Sequence, residues 1–76
     1  MNNSRRKRIS RCIEDLNDAH NELSKVLEEE QNALAKVPDD EEYDEMRDGM
    51  SEIVTDLEDL LSTLQDAIDT LENADF

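Results

Sequence analysis

The stretch MSEIVTDLEDLLSTLQDAIDTL, Met50 to Leu71, decides the fold. Its apolar residues recur at alternating steps of four and three. Extended both ways, the series is Met46, Met50, Ile53, Leu57, Leu60, Leu64, Ala67, Leu71 and Ala74, every position apolar. Val54, Leu61 and Ile68 add a second stripe beside it. A strand, with its period of two, would scatter these residues over both faces, whereas an α-helix gathers them on one.

The same steps run through the first half of the chain: Ile9, Ile13, Leu16, His20, Leu23, Leu27, Glu30, Leu34 and Val37, with only His20 and Glu30 out of pattern. Cys12, Ala19, Val26 and Ala33 flank this stripe at intervals of seven. Between the halves stands Val37-Pro38-Asp39-Asp40-Glu41-Glu42. Proline disfavours the helical conformation of the residue before it, so the first helix should end there. Asp39 or Asp40 can accept hydrogen bonds from the amides that open the second helix. The acids that follow suit the positive pole of its dipole.

The spacing therefore predicts a basic segment over 1–8, a helix over 9–37, an acidic turn over 38–44 and a helix over 45–74. So short a connection makes the helices antiparallel neighbours. The predicted fold is all-α, a coiled-coil-like hairpin, its rod about 40–45 Å long at 1.5 Å per residue. Pairing the stripes sets Leu27 against Leu57, Leu23 against Leu60, His20 against Leu64, Leu16 against Ala67 and Ile9 against Ala74. It also brings Arg5, Arg6, Lys7, Arg8 and Arg11 beside Asp69, Glu72 and Asp75. Gly49 costs about 1 kcal/mol relative to Ala in a helix interior. It marks either a frayed first turn, with the helix in effect beginning near Met50, or a close approach; the fray is the expectation. Glu30 is expected to turn outward near the end of its helix.

Two helices make a thin core, and domains this small are marginal without a disulfide, a metal or a partner. The surplus stripes, Cys12, Ala19, Val26 and Ala33 on one helix and Val54, Leu61 and Ile68 on the other, call for a cover. The expectation is self-association into a homodimeric four-helix bundle. A different protein filling the same face is the alternative.

Composition narrows the function. Among 76 residues stand 22 Asp and Glu against 8 Lys and Arg, a net charge of −14. Naked nucleic acid and anionic membranes would repel such a chain. One cysteine excludes a disulfide framework within the chain. No apolar run is long enough to span a membrane. The basic N-terminal run is followed by no apolar run, so no secretory signal is expected and a cytoplasmic location is. Residues 1–36 balance seven bases with seven acids, so the whole excess lies in residues 37–76, where Arg47 faces fifteen acids.

No constellation suits catalysis or a resident cofactor. Cys12 has neighbouring Arg8 and Arg11 but no partner base. His20 is read as a polar residue at the seam edge rather than a pH switch or a metal ligand. Placing Gly49 at the glycine of a calcium loop puts Met46 and Thr55 where oxygen ligands and a Glu are needed, so that motif fails. No enzyme activity, cofactor or metal is expected.

The candidate binding residues are acidic: Asp39, Asp40, Glu41, Glu42 and Asp44 in the turn, then Glu45, Asp48, Glu52, Asp56 and Asp59 along one helix face. Acids three or four residues apart on a helix lie about 5–6 Å from one another and repel. That spacing is comparable to the spacing of phosphates along a nucleic-acid strand. A rigid rod so charged can occupy the groove of a nucleic-acid-binding protein, with salt-sensitive attraction. The bland alternative is a solvated face that keeps the protein soluble.

Leu27-Glu28-Glu29-Glu30-Gln31-Asn32-Ala33, then Val37-Pro38, then the repeats at Ile53–Asp59 and Leu64–Glu72, together resemble a group of small phage and prophage proteins. In that group a segment of the form L-x-x-E-x-x-A and L-P precedes repeats of the form A-x-x-x-L-E-x-A-I-x-x-L. The acidic turn Asp39–Asp44 departs from the group's more mixed turn. The resemblance carries no activity; it implies a viral or mobile-element setting, where small acidic inhibitors of host nucleic-acid enzymes are common. The resulting expectation is a non-enzymatic inhibitor that occludes or mimics nucleic acid at a basic surface of a host defence or DNA-handling protein. The alternative is a structural adaptor or oligomerisation module acting through its apolar stripes.

Overall fold

The computed structural model describes all 76 residues. It contains two long helices, α1 (Asn3–Ala35) and α2 (Asp44–Asn73), joined through a single 3-10 turn at Glu41–Tyr43. They pack side by side as an antiparallel hairpin measuring 60 × 15 × 13 Å between Cα atoms. The rod exceeds the expected length: α1 opens at Asn3 rather than Ile9, which adds about 9 Å at 1.5 Å per residue, and the connection and chain ends extend it further. Asn2 caps it in an extended conformation, its Oδ1 accepting from the Arg5 amide at 2.9 Å. The basic run is thus the first turns of a helix.

At the other end α1 stops as proline demands. The amides of Lys36 and Val37 donate to the carbonyls of Ala33 and Leu34 at 3.2 and 3.1 Å, which tightens the last turn. Asp40 then opens the 3-10 turn, its side chain accepting from the Glu42 amide. Helix α2 has no side-chain cap; Asp44 and Glu45 in its first turn complement the positive pole of the dipole instead.

The seam of α1 follows the sequence closely. All nine residues of its stripe are half-buried, His20 and Glu30 included. Glu30 does not lie on a frayed end, because α1 runs on for more than another turn beyond it.

The seam of α2 is displaced by one position on one side. Met50, Leu57, Leu64 and Leu71 are half-buried as expected, but Val54, Leu61 and Ile68 take the other seam row. Leu61 and Ile68, at 9% and 1% exposure, are the only buried residues of the chain. Met46, Ile53 and Leu60 stay half in water, and Ala67 and Ala74 are exposed. The layers Leu23–Leu60, Leu16–Ala67 and Ile9–Ala74 therefore do not form. The two candidate rows are closely matched over most of their length, Ile53 against Val54 and Leu60 against Leu61. They differ at Ala67 against Ile68, where each extra buried methylene contributes about 0.8 kcal/mol. They also differ at Met46 against Arg47.

Arg47 heads the seam row and ties the turn. It donates to the carbonyls of Pro38 and Asp40 at 2.8 and 3.2 Å and pairs with Asp44 at 2.9 Å and Asp39 at 3.8 Å. Gly49 lies inside α2, and a Cβ built on it meets nothing within 4 Å. Neither a fray nor a close approach explains it.

Candidate binding surfaces

The two long sides of the hairpin differ in chemistry. One is set by the residues that follow the seam: Asn17, Ser24 and Gln31 on α1, and Ser51, Glu58, Gln65 and Glu72 on α2. Gln31 Nε2 donates to Glu58 Oε1 at 3.3 Å across the helix pair, which puts both rows on the same side. This side is polar and largely self-satisfied. Asn17 Nδ2 donates to the Ile13 carbonyl at 3.1 Å, Ser24 Oγ to the His20 carbonyl at 2.9 Å, and Gln65 to Asp69 at 2.9 Å.

The opposite side carries the residues that precede the seam. On α1 these are Cys12, Ala19, Val26 and Ala33, all exposed. On α2 they are Met46, Ile53, Leu60, Ala67 and Ala74. In an antiparallel pair the rows preceding the seam share a side, just as the rows following it do. Both therefore fall opposite the Gln31–Glu58 bond and form one apolar face along the rod. A shallow depression of about 310 Å³, lined by Met1, Arg5, Arg8, Ile9 and Cys12, continues that side onto the open end. Arg8, Asp15, Glu22 and Glu29 rim it along α1.

Of the expected self-association residues, the α1 set stands free, but Leu61 and Ile68 are closed inside the hairpin and Val54 is half-buried. The α2 residues left uncovered are their immediate predecessors. Both stripes stand in the sequence, and in the fold the Val54, Leu61 and Ile68 row and the Met46, Ile53, Leu60 and Ala67 row exchange the places expected for them. The signal lay in Arg47, which stands seven residues before Val54. Extending the Val54, Leu61, Ile68 row backward reaches Arg47, the only cation of residues 37–76 and the one that ties the turn.

The acidic candidates divide into two groups. Asp39 and Asp44 are partners of Arg47, and Asp40 caps the 3-10 turn, so these three build the connection. Glu41, Glu42, Glu45, Asp48, Glu52, Asp56 and Asp59 are exposed and enter none of the three ion pairs of the chain. Those from Glu45 onward, with Asp66, run along the outer surface of α2, where neighbouring like charges destabilise the helix slightly. The expected neutralisation of the basic cluster by Asp69, Glu72 and Asp75 does not occur through ion pairs. The link between the two ends is instead a bond of 2.8 Å from Arg6 Nε to the main-chain oxygen of Phe76.

Cys12 is exposed, and the His20 side chain makes no hydrogen bond within the protein. No group of three His, Cys, Asp or Glu side chains converges on a point where a metal ion could sit. No helix is long and apolar enough to cross a membrane. No protein-family model, curated protein or solved structure matches the chain.

Proposed function

We propose that this protein is a non-enzymatic, homodimeric binding protein that presents the acidic outer surface of α2 to a basic surface of another protein. The partner's surface is one that binds nucleic acid, and the hairpin occludes it or mimics its ligand. One observation carries the reading: Glu45, Asp48, Glu52, Asp56, Asp59 and Asp66 form an exposed row with no cation among them. Six charges over about 32 Å of helix, at 1.5 Å per residue, give one per 5–6 Å. A single DNA strand carries one per 3.4 Å of axis, so the row is a sparser version of the same field. A phage or prophage protein acting in the host cytoplasm, on a defence or DNA-handling enzyme, suits the resemblance noted in the sequence.

The test is capture of partners on the immobilised protein with stepwise salt elution and DNA competition. The reading expects one nucleic-acid-binding protein, released at moderate salt and displaced by DNA. Lysine at Glu45, Asp48, Glu52, Asp56 and Asp59 together should abolish capture. Retention through high salt, indifference to DNA, or intact binding by the charge-reversed protein would overturn it. A second reading, a coiled-coil adaptor or oligomerisation module, draws on a different observation, the half-exposed Ile53 and Leu60.

A further inference from the structure

We infer that the apolar face is covered by a second copy of this chain, laid against it with the two turns at opposite ends of the bundle. The inference deepens the homodimer reading above and is independent of the acidic row and its partner.

The hairpin exposes more surface than a compact chain of its mass. A compact monomer of 8.8 kDa exposes about 4,800 Å² by the usual scaling with mass. This hairpin exposes 5913 Å², an excess of roughly 1,100 Å². One partner in a stable interface of standard size contributes about 800 Å². That excess comes with the 60 × 15 × 13 Å rod shape, and it exceeds the share one partner gives up in such an interface. The polar side, whose Asn17 and Ser24 already bond to their own helix, offers no comparable cover.

Side-chain size favours one orientation. Along α2 the face is large near the turn, at Met46 and Ile53, and small near the open end, at Ala67 and Ala74. Two stacked hairpins related by a two-fold axis have either both turns at one end or turns at opposite ends. The first arrangement gathers Met46 and Ile53 of both copies at one end, relieved only by Ala33, and leaves Ala67, Ala74 and Cys12 of both copies to fill the other. The second sets Ile53 against the partner's Ala67 and Met46 against the partner's Ala74. The axis then passes Leu60 on α2 and falls between Ala19 and Val26 on α1. Those two levels are nearly opposite each other in the hairpin, so one axis serves both helices.

Charge agrees. Each copy carries −14, and its densest acids lie at the turn. Opposed turns keep those acids at the two ends of the bundle. Arg8 lies about 22 Å from the axis, at 1.5 Å per residue. The partner's acidic turn falls at nearly the same height, so the basic opening of α1 meets it.

The test is directed cross-linking in a Cys12→Ser background, using exposed positions whose change leaves the hairpin seam intact. Leu60→Cys should oxidise with itself to a covalent dimer, and a mixture of Ala19→Cys and Val26→Cys chains should give the mixed dimer. Unoxidised samples should sediment at twice the chain mass, with helical circular dichroism unchanged. Leu60→Cys joining only to Val26→Cys in a mixture would establish the turns-together arrangement and overturn the proposed one. A monomer mass for the wild-type chain would overturn the second copy altogether. Either failure leaves the salt-sensitive capture of a basic partner as a separate result.

Discussion

Replacing Ile68 with alanine is the sharpest test of the seam. Ile68 is 1% exposed and is the most enclosed side chain of the protein. Deleting a buried isoleucine to alanine costs about 2–5 kcal/mol, according to how far the surroundings collapse. A two-helix seam open on both sides relaxes easily, so the lower part of that range, about 2–3 kcal/mol, is expected. For a domain of this size each kcal/mol moves Tm by about 4–8 °C, so Ile68→Ala should lower Tm by about 10–20 °C. The control is Leu60→Ala. Leu60 is 50% exposed, and half of a leucine's burial is worth about 1 kcal/mol. Both should be followed by circular dichroism at concentrations low enough that Tm no longer changes with dilution, which removes any contribution from association. An equal or larger loss for Leu60→Ala under those conditions would return Ile53, Leu60 and Ala67 to the seam and refute the orientation of α2.

Gly49→Ala should stabilise the protein by about 0.5–1 kcal/mol, because the added methyl meets nothing and the helix gains a better former; a lowered Tm would show that Gly49 does have a steric role. Arg47→Ala should remove about 1–2 kcal/mol by freeing the Pro38 and Asp40 carbonyls and the Asp44 carboxylate, and amide exchange should speed up first in residues 38–47. Arg47→Lys should restore only part of this, since an ammonium cannot reproduce the forked guanidinium contacts; full rescue would mean that charge alone holds the turn. Glu30→Leu should stabilise the hairpin by about 1 kcal/mol by returning an apolar side chain to a half-buried seam position; no change in Tm would mean that the carboxylate already reaches water at no expense.

Much of this architecture was legible in the sequence because two helices and a proline leave few alternatives. The stripe from Ile9 to Val37 occupies the seam residue for residue, and the connection falls where Pro38 requires it. Of the features that escaped, three have a clear physical cause. The start of α1 depends on Asn2 bonding to the Arg5 amide, and an arginine-rich first turn opposes the usual preference for acids there. The rotation of α2 was ambiguous because Ile53 and Val54, like Leu60 and Leu61, are near equals, so a periodic count cannot choose between them. The choice is made by Ile68 over Ala67 and by the carbonyls that Arg47 must satisfy. Both are properties of the folded pair rather than of one helix. The acidic row was visible at once, but its division into turn-building and uncommitted acids depends on where Arg47 points.

The hairpin has one polar side whose side chains bond within the chain and one apolar side that the proposed dimer covers with a second copy. Sedimentation equilibrium of the wild-type chain across the micromolar range tests this most directly. A dimer gives a mass twice the 8.8 kDa of the chain, falling toward the single-chain value on dilution and in the Leu60→Glu protein. A mass of 8.8 kDa at every concentration, with full helical structure, would contradict it.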